Sequence, residues 1–298
     1  MTVSEIFVSD QERRRGGLSS DRLAVSSAAL RSNGYLVIRN LLPPHRLGSL
    51  KNELDAAWHS FRSNKPGWHG GGKIIGHLGL IPPKTPDFIC PEIIANPLIH
   101  TIVDDVLGNG VRIVGIGGNA NLPGSVDQQF HRDFDLTAAD RVLVNIPLGD
   151  VDEGNGSLEV IPGSHVPDGD SQKLPLRVNT RSGDVIVRFP QVLHRGKRNP
   201  SQRVRYMLGI WLAALTPTRM TVEKLCLDPG SPDLLSDCQS QFDQLGQAGR
   251  QPVFGPNYFS PDGVGLIKEV VYRLMPSVYG FLVRKRTNDQ IGANTRRP

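Results

Sequence analysis

Between Arg112 and Leu215 the apolar residues fall into short runs with a period of two, and no other feature constrains the fold as strongly. The runs are Arg112 to Gly117, Gln128 to Asp133, Arg141 to Pro147, Ser157 to Ile161, Asp184 to Phe189 and Val204 to Leu215. Turn-forming strings such as Asp152-Glu153-Gly154-Asn155-Gly156 and Pro162-Gly163 separate them. Many short strands broken in this way predict a β-sandwich or barrel.

Ahead of the strands the rhythm is helical. A short helix is expected from Asp21 to Leu30, stopped by Asn33-Gly34, then a strand from Tyr35 to Ile38. After Leu42-Pro43-Pro44 comes an amphipathic helix carrying Leu47, Leu50, Leu54 and Trp58 on one face. A further helix spans Pro97 to Leu107, and the Gly- and Pro-rich residues 63 to 91 read as a long loop. Residues 1–20 read as a polar, frayed tail. The organisation expected is that tail, one mainly β domain over 21–215 with helices covering one face (strand core about 112–215), and a C-terminal extension over 216–298 that joins the domain or forms an interface.

Composition narrows the partners. No run of about 18 apolar residues spans a membrane, and the charged start MTVSEIFVSDQERRRGG is unlike a signal peptide, so the chain reads as cytoplasmic. Cys90, Cys226 and Cys238 are scattered without CxxC spacing and suit a reducing compartment. The net charge of +5 is concentrated at Arg13 to Arg15 and Arg284 to Arg286, not in a patch interleaved with aromatics, which argues against a nucleic-acid partner.

His131 and Asp133 stand two apart in a predicted strand, so both side chains point to one face. His194, beyond the run ending at Phe189, can supply a third ligand from a neighbouring strand. Two imidazoles and one carboxylate on one side of an ion leave positions open, which suits iron(II) oxygenases. Zinc accepts the same set, so a zinc hydrolase stays open at this point, as does a binding protein on a catalytically dead scaffold.

Two longer strings carry more information. The first is Asn155-Gly156-Ser157-Leu158-Glu159-Val160-Ile161-Pro162-Gly163-Ser164-His165, and the second is Ser182-Gly183-Asp184 followed by Phe189, His194, Asn199, Ser201 and Arg205. With His131-Arg132-Asp133 and the opening Asn33-Gly34-Tyr35-Leu36-Val37-Ile38-Arg39, they resemble the phytanoyl-CoA dioxygenase-like family of Fe(II)/2-oxoglutarate oxygenases over residues 30 to 215. The resemblance implies a double-stranded β-helix, or jelly roll, with helices packed on one sheet. It implies Fe(II) on His131, Asp133 and His194, with 2-oxoglutarate and O2 as co-substrates. The reaction expected is hydroxylation of an unactivated C–H of a small molecule (a secondary metabolite, a sugar or amino-acid derivative, or a lipid-linked compound), with release of succinate and CO2. Related halogenases lack the metal carboxylate; Asp133 is present.

Arg205 lies eleven residues after His194 and is the expected anchor for the far carboxylate of 2-oxoglutarate, because a planar guanidinium pairs a carboxylate bidentately. Arg203 competes, and family spacing favours Arg205. The resemblance also places Asn145 at the co-substrate pocket, while Asn119 and Asn121 share one strand face that can reach it. Trp68, Lys73 and His77 belong to the loop expected over the pocket and are the substrate candidates. His165 follows a turn and is expected to make a structural hydrogen bond. From Ile267 to Arg286, apolar residues at three- and four-residue steps predict a C-terminal helix, kinked at Pro276. It packs on the domain or in a dimer; the alternative is peripheral contact with a membrane through its basic face.

Overall fold

The computed structural model describes residues 3–64, 76–82, 85–108, 110–136, 140–167, 173–215, 227–244 and 253–255. The expected C-terminal helix and two of the three substrate candidates, Trp68 and Lys73, lie outside the described residues.

Two sheets face each other. The larger contains β1 (Glu5–Phe7), β2 (Tyr35–Arg39), β3 (His77–Ile81), β4 (Val111–Asn121), β5 (Arg141–Pro147), β8 (Val185–Arg188), β10 (Arg205–Ala214) and β11 (Val253–Gly255), in the order β1-β2-β8-β5-β10-β4-β3-β11. The smaller contains β6 (Leu158–Val160), β7 (Leu176–Val178) and β9 (His194–Gly196), in the order β7-β6-β9. This is the expected mainly β, jelly-roll core. Six helices accompany it among the described residues: α1 (Asp10–Arg15), α2 (Ser20–Asn33), α3 (Pro44–Asn64), α4 (Pro91–Ile94), α5 (Pro97–Leu107) and α6 (Leu234–Gln244). None is long and apolar enough to cross a membrane.

Side chains alternate across each strand. On β10, Tyr206, Leu208, Ile210 and Leu212 enter the hydrophobic core, joined by Val142, Val144 and Ile146 of β5 and by leucines of α3 and α5. The intervening Arg205, Met207, Gly209 and Trp211 stand on the opposite, inner face with Asn121, Asn119, Gly117 and Gly115 of β4, to which they pair in register. A bulge in β4 at Val114, where β10 steps from Trp211 to Leu212, returns Ile113 to the core side.

Several expectations need correction. Residues 3–20 are not a frayed tail: β1 pairs in parallel with β2, and Ser9 and Glu12 form a capping box at the start of α1. The long loop over 63–91 contains β3 (His77–Ile81), which pairs with β4, so His77 is a buried strand residue and not part of a loop over the pocket. Gln128 to Asp133 does not form a strand; its one ladder contact is a reciprocal bridge between His131 and His194. Beyond residue 215, Leu227 bridges to Ile113, Leu234 and Cys238 of α6 join the core, and β11 pairs with β3.

Two glycines of the family-like strings are required by close approach. At Gly34 (φ +77°) a Cβ would fall 2.4 Å from Val192 and 2.5 Å from His165 Nδ1. At Gly156 (φ +91°) it would fall 2.6 Å from Asn121 Nδ2 and 2.7 Å from the Lys197 carbonyl, so this turn is pressed against the inner face.

Candidate metal centre

His131, Asp133 and His194 come together as the sequence suggested. Their ligand atoms lie within 4.8 Å of one another. His194 begins β9, and the backbone N–H of each histidine donates to the carbonyl of the other at 3.0 Å. That exchange aligns the two imidazoles, whose ring centroids are 4.4 Å apart. Asp133 is fixed in turn by its N–H, which donates to the Pro190 carbonyl at 2.8 Å.

Each imidazole also has its tautomer set by backbone. His131 Nδ1 lies 2.9 Å from the Gln129 carbonyl, and His194 Nδ1 lies 2.9 Å from the Val192 carbonyl. A carbonyl only accepts, so each Nδ1 donates to backbone and each Nε2 is the nitrogen turned toward the centre. Those free Nε2 atoms face Asp133: His131 Nε2 is 3.7 Å from Oδ1, and His194 Nε2 is 3.6 Å from Oδ2. Outer partners of this kind orient metal-binding histidines generally. Burial, the Arg188 guanidinium and, to a smaller degree, the His131 ring push His194 down to about 3, against the attraction of Asp133, so it is neutral and able to ligate at ordinary pH. For Asp133 burial acts to raise the carboxyl, but Arg188 and the two imidazoles outweigh it and hold the group well below the usual carboxylate range. Its side chain is still 24% exposed, so solvent moderates these effects. This donor set, two imidazoles and one carboxylate converging on one point, fits iron(II).

The inner face beside it is polar and incompletely satisfied. Arg205 on β10 pairs with Asn121 on β4, which pairs with His77 on β3, so three polar side chains stand in one row. Arg205 is buried and donates to the Gly156 carbonyl at 3.2 Å, while its Nε has no partner and no carboxylate pairs with it among the described residues. Burial alone pushes its guanidinium down to about 10. Asn121 Oδ1 and His77 Nδ1 are likewise buried without partners. His77 gives its Nε2–H to the Val126 carbonyl at 2.8 Å, and burial, with the Arg205 charge, pushes it down to about 4. A row containing an unpaired buried cation fits an anionic guest. Arg203, the rival anchor, is exposed in the bend before β10.

Other candidates are placed differently. Asn119 donates to the Leu78 carbonyl at 3.0 Å. Asn145 accepts from Arg188 Nε at 3.1 Å and so serves a neighbouring side chain. His165 has the structural role expected, with Nε2 2.9 Å from the Arg31 carbonyl and its ring stacked on Phe189. Sequence reasoning missed Arg188. The signal was a lone cation closing the apolar run Val185-Ile186-Val187.

The family model described as phytanoyl-CoA dioxygenase (PhyH) matches residues 30–207, more than half of the chain. The chain belongs to the phytanoyl-CoA dioxygenase family. The family is described by a dioxygenase, and the donor set of the candidate centre is one that iron(II) accepts. A curated relative, the dioxygenase trt7 of Aspergillus terreus (strain NIH 2624 / FGSC A1156), is 28% identical over 149 residues, covering 44% of this chain and 50% of that protein. The chain thus matches about half the length of this relative. Among solved structures, the epimerase SnoN from nogalamycin biosynthesis superposes with a TM-score of 0.51 at 17% identity, covering 65% of this chain and 83% of SnoN. EvdMO1 gives 0.53 at 20% identity, covering 65% and 50%. The non-heme monooxygenase ThoJ gives 0.52 at 15%, covering 76% and 97%. At these identities the likeness bears on the fold alone, which this chain has in common with all three.

Proposed function

We propose that this protein is an active Fe(II)/2-oxoglutarate-dependent dioxygenase that hydroxylates an unactivated C–H bond of a small organic molecule. The observation that carries the reading is the pair of backbone-fixed imidazoles whose Nε2 atoms converge on Asp133, in a fold that also buries the Arg205 guanidinium with no carboxylate beside it among the described residues. His131, Asp133 and His194 would hold the iron; bound there with 2-oxoglutarate, it supplies an oxidant that places oxygen in a C–H bond and releases succinate and CO2. Arg205 binds the far carboxylate of 2-oxoglutarate, with Asn121 and His77 beside it in the row. Asn121 Nδ2 donates to the Lys197 carbonyl at 2.9 Å, which leaves only its acceptor oxygen unpaired, so Arg205 is the group of the row that donates to the carboxylate.

The substrate side is aromatic. Phe134, next to Asp133, is 38% exposed and meets Trp211 edge to face with ring centroids 5.4 Å apart. The Arg141 guanidinium lies 4.9 Å over the Phe134 ring. In the same strand row Gly115 stands opposite Trp211, so the floor beside the tryptophan carries no side chain. A ring or other apolar skeleton fits such a wall better than an acyclic sugar. SnoN's place in nogalamycin biosynthesis agrees with a small-molecule substrate.

The test is a mass-spectrometric screen of apolar and ring-containing compounds with Fe(II), ascorbate and 2-oxoglutarate. Succinate formation matched by a gain of one oxygen atom supports the reading. Hydrolysis with zinc and no 2-oxoglutarate consumption would replace it with the hydrolase.

A further inference from the structure

A charge at the end of an apolar strand needs a reason, because burying it is costly. Arg188 follows Val185-Ile186-Val187 on β8 and is 4% exposed. It pairs across the sheet with Leu143 of β5, which pairs with Trp211 of β10, so it belongs to the inner face. Nη2 donates to Asp133 Oδ2 at 2.6 Å, and Nε donates to Asn145 Oδ1 at 3.1 Å. Nη1 sits 3.5 Å from His194 Nδ1, whose proton is already given to Val192, so this third approach is a contact between two donors.

By charge alone, this arrangement opposes a metal. A guanidinium competes for the lone pairs of Asp133 and repels a divalent cation. What it offers is geometric. With Oδ2 held by Arg188, Asp133 has its other oxygen, 3.7 Å from His131 Nε2, free of this bond. Asn145 holds the other edge of the guanidinium and stops it turning away.

We infer that Arg188 is a positioning residue that limits Asp133 to one oxygen toward the metal, keeping open the coordination positions that the co-substrates need. The inference rests on the metal site proposed above. Without Arg188 the carboxylate turns both oxygens to the ion and takes up one of those positions.

Mn(II) is the probe, because the relaxation of water protons by the loaded protein reports how many waters the ion carries. The Arg188→Met protein is expected to bind Mn(II) as tightly as wild type or more tightly. Its water relaxation should fall by roughly a third, one of about three open positions being lost. Its affinity for 2-oxoglutarate, titrated calorimetrically into the Mn(II) protein, should fall at least ~10-fold. Arg188→Lys, which keeps a donor for Oδ2, should restore most of the relaxation, and Asn145→Ala should lower it part of the way. Unchanged relaxation in Arg188→Met overturns the inference, as does weaker Mn(II) binding in both Arg188 variants, since Arg188 would then only brace the carboxylate. Failure of wild type itself to bind Mn(II) strikes the metal site, and the inference falls with it.

Discussion

On the outer face of β10, Tyr206, Leu208, Ile210 and Leu212 are sealed into one apolar core, and the single polar tip, the Tyr206 hydroxyl, reaches the Leu54 carbonyl of α3. On the inner face of the same strand Arg205 is buried with a nitrogen unpaired, Gly209 faces Gly117 across the ladder, and Trp211 leans on a half-exposed phenylalanine. Backbone hydrogen bonds are common to both faces, so the difference lies wholly in the side chains. The outer face stabilises the fold; the inner face keeps polar atoms unsatisfied, which costs stability unless a guest arrives. Such a division is the pattern of a site kept ready at the expense of the fold.

The division breaks most simply at the candidate ligands. His131→Ala, Asp133→Ala and His194→Ala should each abolish 2-oxoglutarate turnover; the half-exposed His131 can be lost with little change in the thermal melt, whereas Asp133→Ala leaves the buried Arg188 without its carboxylate and should lower it. Near wild-type turnover in any of them would remove that residue from the site.

Arg205→Met sharpens the contrast. The 2-oxoglutarate requirement should rise by orders of magnitude, since truncating one partner of a buried charged pair costs about 2–5 kcal/mol. The melting temperature should hold or rise, because an unpaired buried cation is replaced by an apolar chain of similar length. Arg203→Ala, at an exposed position, should change neither quantity.

Leu208→Ala tests the other face. It is expected to destabilise the protein by about 2–5 kcal/mol in denaturant titration while metal affinity stays the same. A matching loss of metal affinity would mean that the two faces are coupled.

The smallest effect is a pH slope. His77 is neutral in the fold down to about 4, whereas the unfolded residue takes up its proton near 6.5. The unfolded chain therefore binds more protons between those values, so His77 costs nothing above about 6.5 and removes stability as pH falls toward 4, by about 3 kcal/mol at most. His77→Gln should flatten the stability curve over that window relative to wild type.

Periodicity located the elements whose hydrophobic pattern is self-contained. α5 runs from Pro97 to Leu107 and β5 from Arg141 to Pro147, as their spacing predicts. It failed where a segment owes its form to a distant partner. β1 alternates exposed and half-exposed residues and looks like a tail until β2 lies beside it. β3 hides in a Gly-rich stretch, and the segment around His131 owes its form to backbone bonds with residues about 60 positions away, the His131–His194 bridge among them. The candidate ligands were legible because their types and order carry chemistry that strand assignment does not affect. Arg188 was not, since a cation at a strand end usually faces solvent, and only register turns this one inward.

The reciprocal bond between His131 and His194 has a consequence for when iron enters. The two imidazoles are brought together by backbone, so assembly of the chain does not wait for the ion. Loading can follow synthesis, and a chelator can strip the finished protein and leave it refillable.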